Sequence, residues 1–171
     1  MDFELFNTYS NKTELFIPLD DNDIRIYACG PTVYDYIHVG NARPLIIFDV
    51  LVRFLELIYP KVTYVRNITD VDDKIIVQAN QNKESINNLT ERTIKAFSDD
   101  ADALFVKKPD FEPRATEHIQ EMLKMIKVLL ESGNAYLSDG HVLFSVSSMP
   151  NYGKLSGMNL SEMIDGARVE V

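Results

Sequence analysis

The sequence predicts an α/β fold built around a parallel β-sheet. Two segments have strand patterns, residues 24–29 (IRIYAC) and 62–67 (VTYVRN), and a helical segment that begins near 40–44 separates them. A strand–helix–strand order needs a crossover connection, which makes the two strands parallel. The composition supports a packed core, because 46% of the 171 residues are hydrophobic and 25% are charged, as in ordinary globular domains.

The first strand alternates apolar and polar residues, which is the period of a half-buried strand. It ends at Gly30 and Pro31, since proline has no N–H for a strand ladder. The helix that follows carries an apolar stripe at helical spacing, formed by Leu45, Phe48, Val52 and Leu55. Further apolar residues widen the stripe at Ile46, Ile47 and Leu51. We therefore expect this helix to be buried on much of its surface.

The sequence after the second strand predicts mostly helices. Thr69-x-x-Asp72 has the spacing of a capping box, in which two side chains satisfy backbone N–H groups at a helix start. A helical segment follows at 84–104, and Pro109 and Pro113 break the pattern. An amphipathic helix is then predicted at 114–131.

A hairpin is predicted after the last helix, from residues 135–137 and 142–146 flanking Ser138-Asp139-Gly140. The order of elements indicates a strand–helix–strand core with a mostly helical inserted subdomain. We expect the core domain to comprise residues 1–110 and the inserted subdomain to comprise residues 111–171.

Charge, cysteine content and hydropathy exclude several kinds of protein. A net charge of −9 argues against a surface that wraps nucleic acid by charge alone, although it leaves room for a local basic patch. The single cysteine, Cys29, cannot form an internal disulfide. No stretch approaches the roughly 18 apolar residues of a membrane span, and the N-terminus has no basic, apolar leader. We expect a cytoplasmic protein without a membrane partner.

Candidate ligand-binding residues gather where the first strand passes into the first helix. In open α/β sheets, ligands bind at the carboxyl ends of the strands, which is where Cys29 and Gly30 lie. His38 and Gly40 stand at the start of the helix, whose free N–H groups and positive dipole end suit a phosphate. The ordinary alternative, a buried cysteine and a plain loop histidine, stays open at this point. The usual GxxxxGK[ST] and GxGxxG nucleotide motifs are absent from the sequence.

An acidic cluster follows the second strand. Asp70, Asp72 and Asp73 could suggest a magnesium site, but carboxylates at a helix N-terminus are the favoured interpretation. Thr69 is chiefly a cap candidate, with a second role lining an amino-acid pocket.

Four other polar or aromatic residues differ in how well they suit a ligand contact. Thr32 and Tyr34, inside the loop before the first helix, are candidates for lining the amino-acid pocket, as Thr69 is. His118 and His141 have no ligand pattern around them, so we expect a solvated helix residue and an ordinary hairpin residue.

One run of residues is far more specific than its members taken singly. The run CGPTVYDYIHVGNARP at 29–44 resembles the signature of class I aminoacyl-tRNA synthetases, in which a His-x-Gly-His element follows the first strand. Together with YVRNITDVDDKI at 64–75, it is similar to the cysteinyl-tRNA synthetase family in particular. The similarity continues through three further segments, FEPRAT at 111–116, YGKLSG at 152–157 and GARVEV at 166–171.

The resemblance implies a Rossmann-like parallel sheet, the first half of a class I catalytic core. It implies an aminoacyl-tRNA ligase that activates L-cysteine with ATP to cysteinyl-adenylate, releases pyrophosphate, and then transfers cysteine to tRNA(Cys). The implied small-molecule partner is ATP with magnesium, and the implied cofactor is one zinc ion per subunit. We expect a monomer.

The resemblance also assigns the nucleotide site to residues. It implies His38, Gly40 and Asn41 as the catalytic positions, and the same three together with Pro31 as the ATP-binding residues. Asn41 stands where the family usually has histidine. Asparagine can still donate a hydrogen bond but cannot carry charge.

The same resemblance assigns the amino-acid site. The residues implied to bind cysteine are Gly30, Thr32 and Thr69. Cys29 is implied as a ligand of a zinc ion that binds the substrate's thiolate. Such a metal selects sulfur over oxygen, a discrimination that an apolar pocket supplies poorly.

The sequence departs from the family in what it does not contain. Further zinc ligands, the lysine-rich KMSKS element and an anticodon-reading domain are not visible, so we expect the N-terminal part of an enzyme that alone binds zinc poorly and activates cysteine poorly. Two alternatives stay open. One is a ligase that joins cysteine to an amino-sugar in mycothiol synthesis, and the other is a stand-alone nucleotide-binding fragment without catalysis.

Overall fold

The computed structural model describes residues 2–158, so the GARVEV segment lies outside the described residues. The chain divides into two compact units, Pro18–Ile119 and a second unit that combines residues up to 17 with those from 120 onward. In chain order the elements are β1 (Glu4–Asn7), β2 (Lys12–Leu15), β3 (Ile24–Ala28), α1 (Val39–Ile58), β4 (Val62–Arg66), α2 (Asp73–Asn82), α3 (Ile86–Ala103), α4 (Ile119–Glu131), β5 (Ala135–Ser138) and β6 (His141–Phe144).

The unit Pro18–Ile119 is centred on two parallel strands. β3 and β4 pair in a register that runs from Ile24 opposite Val62 to Ala28 opposite Arg66, and α1 is the connection between them. This confirms the predicted strand–helix–strand core. The reason is local, since both segments are rich in the apolar and β-branched residues that suit a buried strand.

Residues 111–114 extend the sheet on the far side of β4. Phe111 and Arg114 form parallel bridges with Val65 and Ile68. Because of this backbone pairing, these residues belong to the same compact unit as β3 and β4, although the sequence assigned them to the second domain. The compact units divide at 17/18 and 119/120, and the 110/111 boundary between a core and an inserted subdomain stays a prediction.

Helix α1 packs only its inner face against the sheet. Leu45, Val52 and Leu55 are buried, as the apolar stripe predicts. The expectation that the helix is buried on much of its surface is wrong, since Ile46 and Ile47 are 44% and 53% exposed. These two residues point away from the stripe, and no described element covers them.

Helices α2 and α3 complete the core of this unit. Asp72 is the N-cap of α2 and its carboxylate accepts the Lys74 N–H, whereas Thr69 lies in the strand extension, so the predicted Thr69-x-x-Asp72 box is wrong. The helix predicted at 84–104 is confirmed as α3, capped by Ser85. The buried cluster joins the loop before α1 to both helices and contains Val33, Leu45, Ile68, Ile75, Ala79, Leu89, Phe97 and Val106.

The second unit contains two antiparallel hairpins and α4. The hairpin β5–β6 is confirmed, with Asp139 and Gly140 at positive φ in its turn. The predicted helix at 114–131 is confirmed from Ile119 onward, while 115–118 form a short 3-10 turn. The hairpin β1–β2 was not predicted, because its residues are mostly exposed and lack a one-sided apolar pattern. Within residues 2–158, no helix is long and apolar enough to cross a membrane.

Candidate active site

The loop after β3 continues the parallel pairing beyond the two strands. The Thr69 N–H donates to the Pro31 carbonyl at 3.0 Å, and the Val33 N–H donates to the Thr69 carbonyl at 3.1 Å. Thr32 and Thr69 therefore face each other as a parallel bridge. This pairing brings the residues predicted to bind an amino acid to one edge, at the carboxyl ends of β3 and β4.

Gly30 lies against the backbone of the neighbouring strand extension. A Cβ at this position would stand 1.6 Å from the Asn67 carbonyl oxygen, so no larger residue fits. Its N–H donates to Asn67 Oδ1 at 2.9 Å. The glycine thus lets the loop approach β4 closely enough for the pairing at Thr69.

His38 and Asn41 cap the N-terminus of α1 reciprocally. His38 Nδ1 accepts the Gly40 N–H at 3.0 Å, and Asn41 Oδ1 accepts the His38 N–H at 3.1 Å. These bonds form a capping box in which histidine and asparagine replace the usual serine and glutamate. The sequence predicted Asn41 as a hydrogen-bond donor, and its amide Nδ2 remains available for that because only Oδ1 enters the cap.

The cap fixes the tautomer of His38. Because Nδ1 accepts a hydrogen bond, the ring proton sits on Nε2. The His38 side chain is exposed at the start of α1. The first turn of α1 contains no acidic residue, which leaves its positive dipole end unopposed. Together these groups can bind an anion.

Gly40 makes room for the His38 ring. A Cβ on Gly40 would lie 2.8 Å from His38 Cε1 and 2.9 Å from Nδ1, closer than normal contacts allow. The glycine of this His-x-Gly element therefore serves the capping geometry of the histidine before it.

A cavity of about 120 Å³ lies beside the cap, between α1 and the ends of the strands. It brings together five of the predicted site residues, Cys29, Gly30, Pro31, Gly40 and Asn41. His38, Thr32 and Thr69 do not line it. Cys29 is an exposed free thiol, which rules out the alternative of a buried structural cysteine.

Arg66 also lines this cavity, and sequence reasoning did not indicate it. Its side chain is buried, donates from Nε and Nη2 to Glu112 Oε1 at 3.2 and 2.7 Å, and stacks 4.9 Å from the Phe97 ring centroid. Burial raises the pKa of the adjacent Tyr64, with the nearby Arg66 charge opposing the shift. The sequence did not indicate the ion pair between Arg66 and Glu112, because the two residues are 46 positions apart.

The three aspartates after β4 occupy different places in the fold. Asp72 caps α2 and Asp73 lies in its first turn, as the favoured interpretation predicts. Asp70 differs, since it is buried and accepts the Thr116 N–H at 2.9 Å and the Thr116 hydroxyl at 2.5 Å. Across the described part of the chain, no three His, Cys, Asp or Glu residues group in a way that could hold a metal.

The loop that carries His38 contacts α2 and α3. The buried Thr93 hydroxyl lies 2.8 Å from the Val33 carbonyl oxygen. The Lys74 ammonium lies 5.4 Å from the Tyr34 ring centroid, so Tyr34 packs against the helices and does not line the cavity. His118 and His141 are both exposed, in agreement with the prediction for them.

Comparison with known proteins identifies the family. Residues 15–171 match the family model of the tRNA synthetases class I (C) catalytic domain. The chain belongs to this class I (C) synthetase family.

Curated relatives of this family match along the whole chain. The cysteine–tRNA ligase of Gluconobacter oxydans is 54% identical over 167 residues, 98% of this chain and 37% of the relative. That of Azorhizobium caulinodans is 56% identical over 173 residues, 100% of this chain and 37% of the relative. The chain thus spans little more than a third of the length of these class I (C) synthetases.

The fold of the family is also found among solved structures. Mycobacterium tuberculosis methionyl-tRNA synthetase, solved in complex with methionyl-adenylate, matches with a TM-score of 0.61 and 18% sequence identity. The match covers 72% of this chain and 29% of that chain. It supports the predicted α/β, Rossmann-like class I core.

Proposed function

We propose that the complete polypeptide containing this chain activates L-cysteine with ATP and attaches it to tRNA(Cys). The observation that supports the proposal is the reciprocal cap of His38 and Asn41, which leaves His38 Nε2–H and Asn41 Nδ2 as donors. Asn41 and the exposed Cys29 line the same cavity. The names of the curated relatives, all cysteine–tRNA ligases, support the same reaction. An enzyme of translation also fits the cytoplasmic location and the monomer expected from the sequence.

The proposed ATP site uses the N-terminus of α1. His38 Nε2–H and the Asn41 amide Nδ2 are donors suited to the phosphates of ATP with magnesium, and both stand at the positive end of the α1 dipole. Gly40 keeps the ring in place, and Pro31 borders the same cavity. Donors placed in advance stabilise charge that develops on the phosphate without reorganising during the reaction.

The proposed first step is formation of an acyl-adenylate. A carboxylate oxygen of cysteine attacks the α-phosphorus of ATP, a new O–P bond forms, and the bond to the β-phosphate oxygen breaks, so that pyrophosphate leaves. His38 donates a hydrogen bond to the reacting phosphate and is a catalytic residue in this scheme. In the second step a terminal ribose hydroxyl of the tRNA attacks the acyl carbon of the adenylate. An ester C–O bond forms, the acyl bond to the phosphate oxygen breaks, and AMP leaves.

The proposed cysteine site lies between the loop after β3 and Thr69. Cys29 fits as a zinc ligand, because its thiol is exposed and sulfur is a preferred ligand of zinc. The remaining ligands would come from outside the described residues. The chemistry that zinc would supply there is recognition of the substrate's thiolate in preference to the hydroxyl of serine. Gly30, Thr32 and Thr69 would contact the rest of the amino acid.

The test is the identity of the acceptor. The complete polypeptide is incubated with ATP, labelled cysteine and either tRNA(Cys) or an amino-sugar acceptor. Labelled tRNA is the expected product. Transfer to the amino-sugar alone would favour the mycothiol-type ligase. ATP binding without any cysteine-dependent release of pyrophosphate would favour a nucleotide-binding role without catalysis, and either result would overturn the proposal.

A further inference from the structure

Asn67 joins two of the residues proposed to bind cysteine. Its Oδ1 accepts the Gly30 N–H at 2.9 Å, and its Nδ2 lies 3.1 Å from Thr69 Oγ1. All three residues are half-buried at the carboxyl ends of β3 and β4. Asn67 does not line the 120 Å³ cavity beside the cap, and its side chain bonds to Gly30 and Thr69.

The chemistry of these contacts fixes the direction of every hydrogen bond. A backbone N–H can only donate, so the amide atom facing Gly30 must be the oxygen. The amide nitrogen then faces Thr69, and since an amide NH₂ only donates, the Thr69 hydroxyl oxygen must accept.

This leaves the hydroxyl proton of Thr69 for another partner. No hydrogen bond from Thr69 Oγ1 to an acceptor occurs within the described residues. The Gly30 N–H is already used. The Gly30 carbonyl accepts from the Cys29 thiol at 3.7 Å, which leaves one of its two lone pairs for a second donor. The pair therefore offers one hydroxyl donor, at Thr69, and one acceptor, at Gly30.

We propose that Asn67 is a positioning residue that orients the Thr69 hydroxyl as a donor to the carboxylate of the amino-acid substrate. The proposal rests on the cysteine-activating function above. An amino acid presents a carboxylate that accepts and an ammonium that donates, so the donor at Thr69 matches the carboxylate and the carbonyl of Gly30 matches the ammonium.

The direct test is Asn67→Asp in the complete polypeptide. Aspartate has the same shape and still accepts the Gly30 N–H. Its second oxygen can only accept, so the Thr69 hydroxyl turns to donate to it and is lost to the substrate. We expect kcat/KM for cysteine to fall roughly tenfold or more while KM for ATP stays within about twofold.

Thr69→Val supplies the matched control. This variant removes the hydroxyl, so it should cost about as much as Asn67→Asp, and combining the two should cost little more than either alone. If the new carboxylate of Asn67→Asp instead acted directly on the substrate, it would lower kcat/KM for cysteine by the same factor in the Thr69→Val background. The proposal would be overturned if the losses of kcat/KM in the two single variants multiplied in the double variant, or if Asn67→Asp had wild-type kinetics.

A readout without activity separates this inference from the proposed function. Hydrogen exchange of the Gly30 amide should stay slow in Asn67→Asp and become faster in Asn67→Ala. Equal protection of the Gly30 amide in both variants would overturn the hydrogen bond from Gly30 to Asn67, even in an inactive protein. Slow exchange in Asn67→Asp together with a wild-type protein that shows no cysteine-dependent pyrophosphate exchange would overturn the proposed function alone.

Discussion

His38 and Asn41 hold each other at the first turn of α1. The ring nitrogen of His38 accepts from the turn at 3.0 Å, and the Asn41 side chain accepts the His38 N–H at 3.1 Å. The signature histidine is therefore part of the helix cap as well as a candidate phosphate ligand. Asn41, in the position usually held by histidine, keeps the cap through its oxygen and can bind through its nitrogen.

The double role of Asn41 predicts that stability and activity separate on substitution. Asn41→Ala loses the capping oxygen and should reduce the free energy of unfolding by about 1 kcal/mol. Asn41→Asp keeps the oxygen and places a negative charge at a helix N-terminus, so stability should hold. It should nevertheless raise KM for ATP, because the amide donor is replaced by a charge that repels phosphate. Urea unfolding and ATP kinetics on the two variants test this. A KM for ATP in Asn41→Asp equal to that of the wild type would contradict it.

Gly40→Ala should impair activation through His38. Alanine favours a helix by about 1 kcal/mol over glycine, yet its Cβ would lie 2.8 Å from the His38 ring and displace it. We expect cysteine-dependent pyrophosphate exchange to fall roughly tenfold or more. In a His38→Ala background the same substitution should have little further effect. Full activity of Gly40→Ala would show that the ring position is not needed.

The carboxylate of Asp49 should make the free energy of unfolding depend on pH. Its carboxylate accepts the Lys107 N–H at 2.7 Å and the Arg53 Nε–H at 2.8 Å. Burial raises the pKa of Asp49, but these hydrogen bonds outweigh burial and hold the pKa below the ordinary 3.8. Since the folded pKa is the lower one, the contribution is complete above the unfolded value and is lost as pH falls through the folded value.

The measurement for Asp49 is the urea midpoint of Asp49→Asn against wild type. The difference should be large at neutral pH and shrink as the pH falls below the ordinary carboxyl range. Asp99→Asn is the control, because Asp99 pairs with Lys95 on an exposed helix surface and such pairs contribute little. A difference between Asp49→Asn and wild type that does not change with pH would contradict the role of the charge.

Cys29→Ser should weaken zinc retention and cysteine activation together in the complete polypeptide. Serine has no soft sulfur ligand for zinc, so the metal content per polypeptide and kcat/KM for cysteine should both fall. This chain alone should hold zinc at well below one ion per molecule, because Cys29 stands without a ligand cluster in residues 2–158. Full zinc occupancy and unchanged activation in the serine variant would remove Cys29 from this role.

Local patterns predicted the parts of the fold that depend on neighbouring residues. The period of the apolar residues predicts β3, α1 and β4, and the turn residues predict the β5–β6 hairpin. The hairpin β1–β2 escaped prediction because its side chains are mostly exposed and follow no one-sided pattern. Thr69 was assigned to a cap, since the pairing with Pro31 and Val33 that makes it an extended strand residue is distant in sequence.

The sequence indicated candidate residues for the site, whose roles stay predictions, but it did not indicate the hydrogen bonds between them. The run at 29–44 indicated Cys29, Gly30, His38 and Gly40. Asn67 lies within the run at 64–75, but its role was not predicted, because its partner Gly30 is 37 residues away in the sequence. Asn67 is recognisable only once the fold places it between Gly30 and Thr69.

The measurement that tests the central claim most directly is cysteine-dependent exchange of labelled pyrophosphate into ATP, comparing the wild-type complete polypeptide with His38→Ala. We predict exchange that requires cysteine, is not supported by serine, and falls roughly a hundredfold in the variant. Exchange at the wild-type rate in His38→Ala, or none with cysteine in the wild type, would contradict the assignment of this site to cysteine activation.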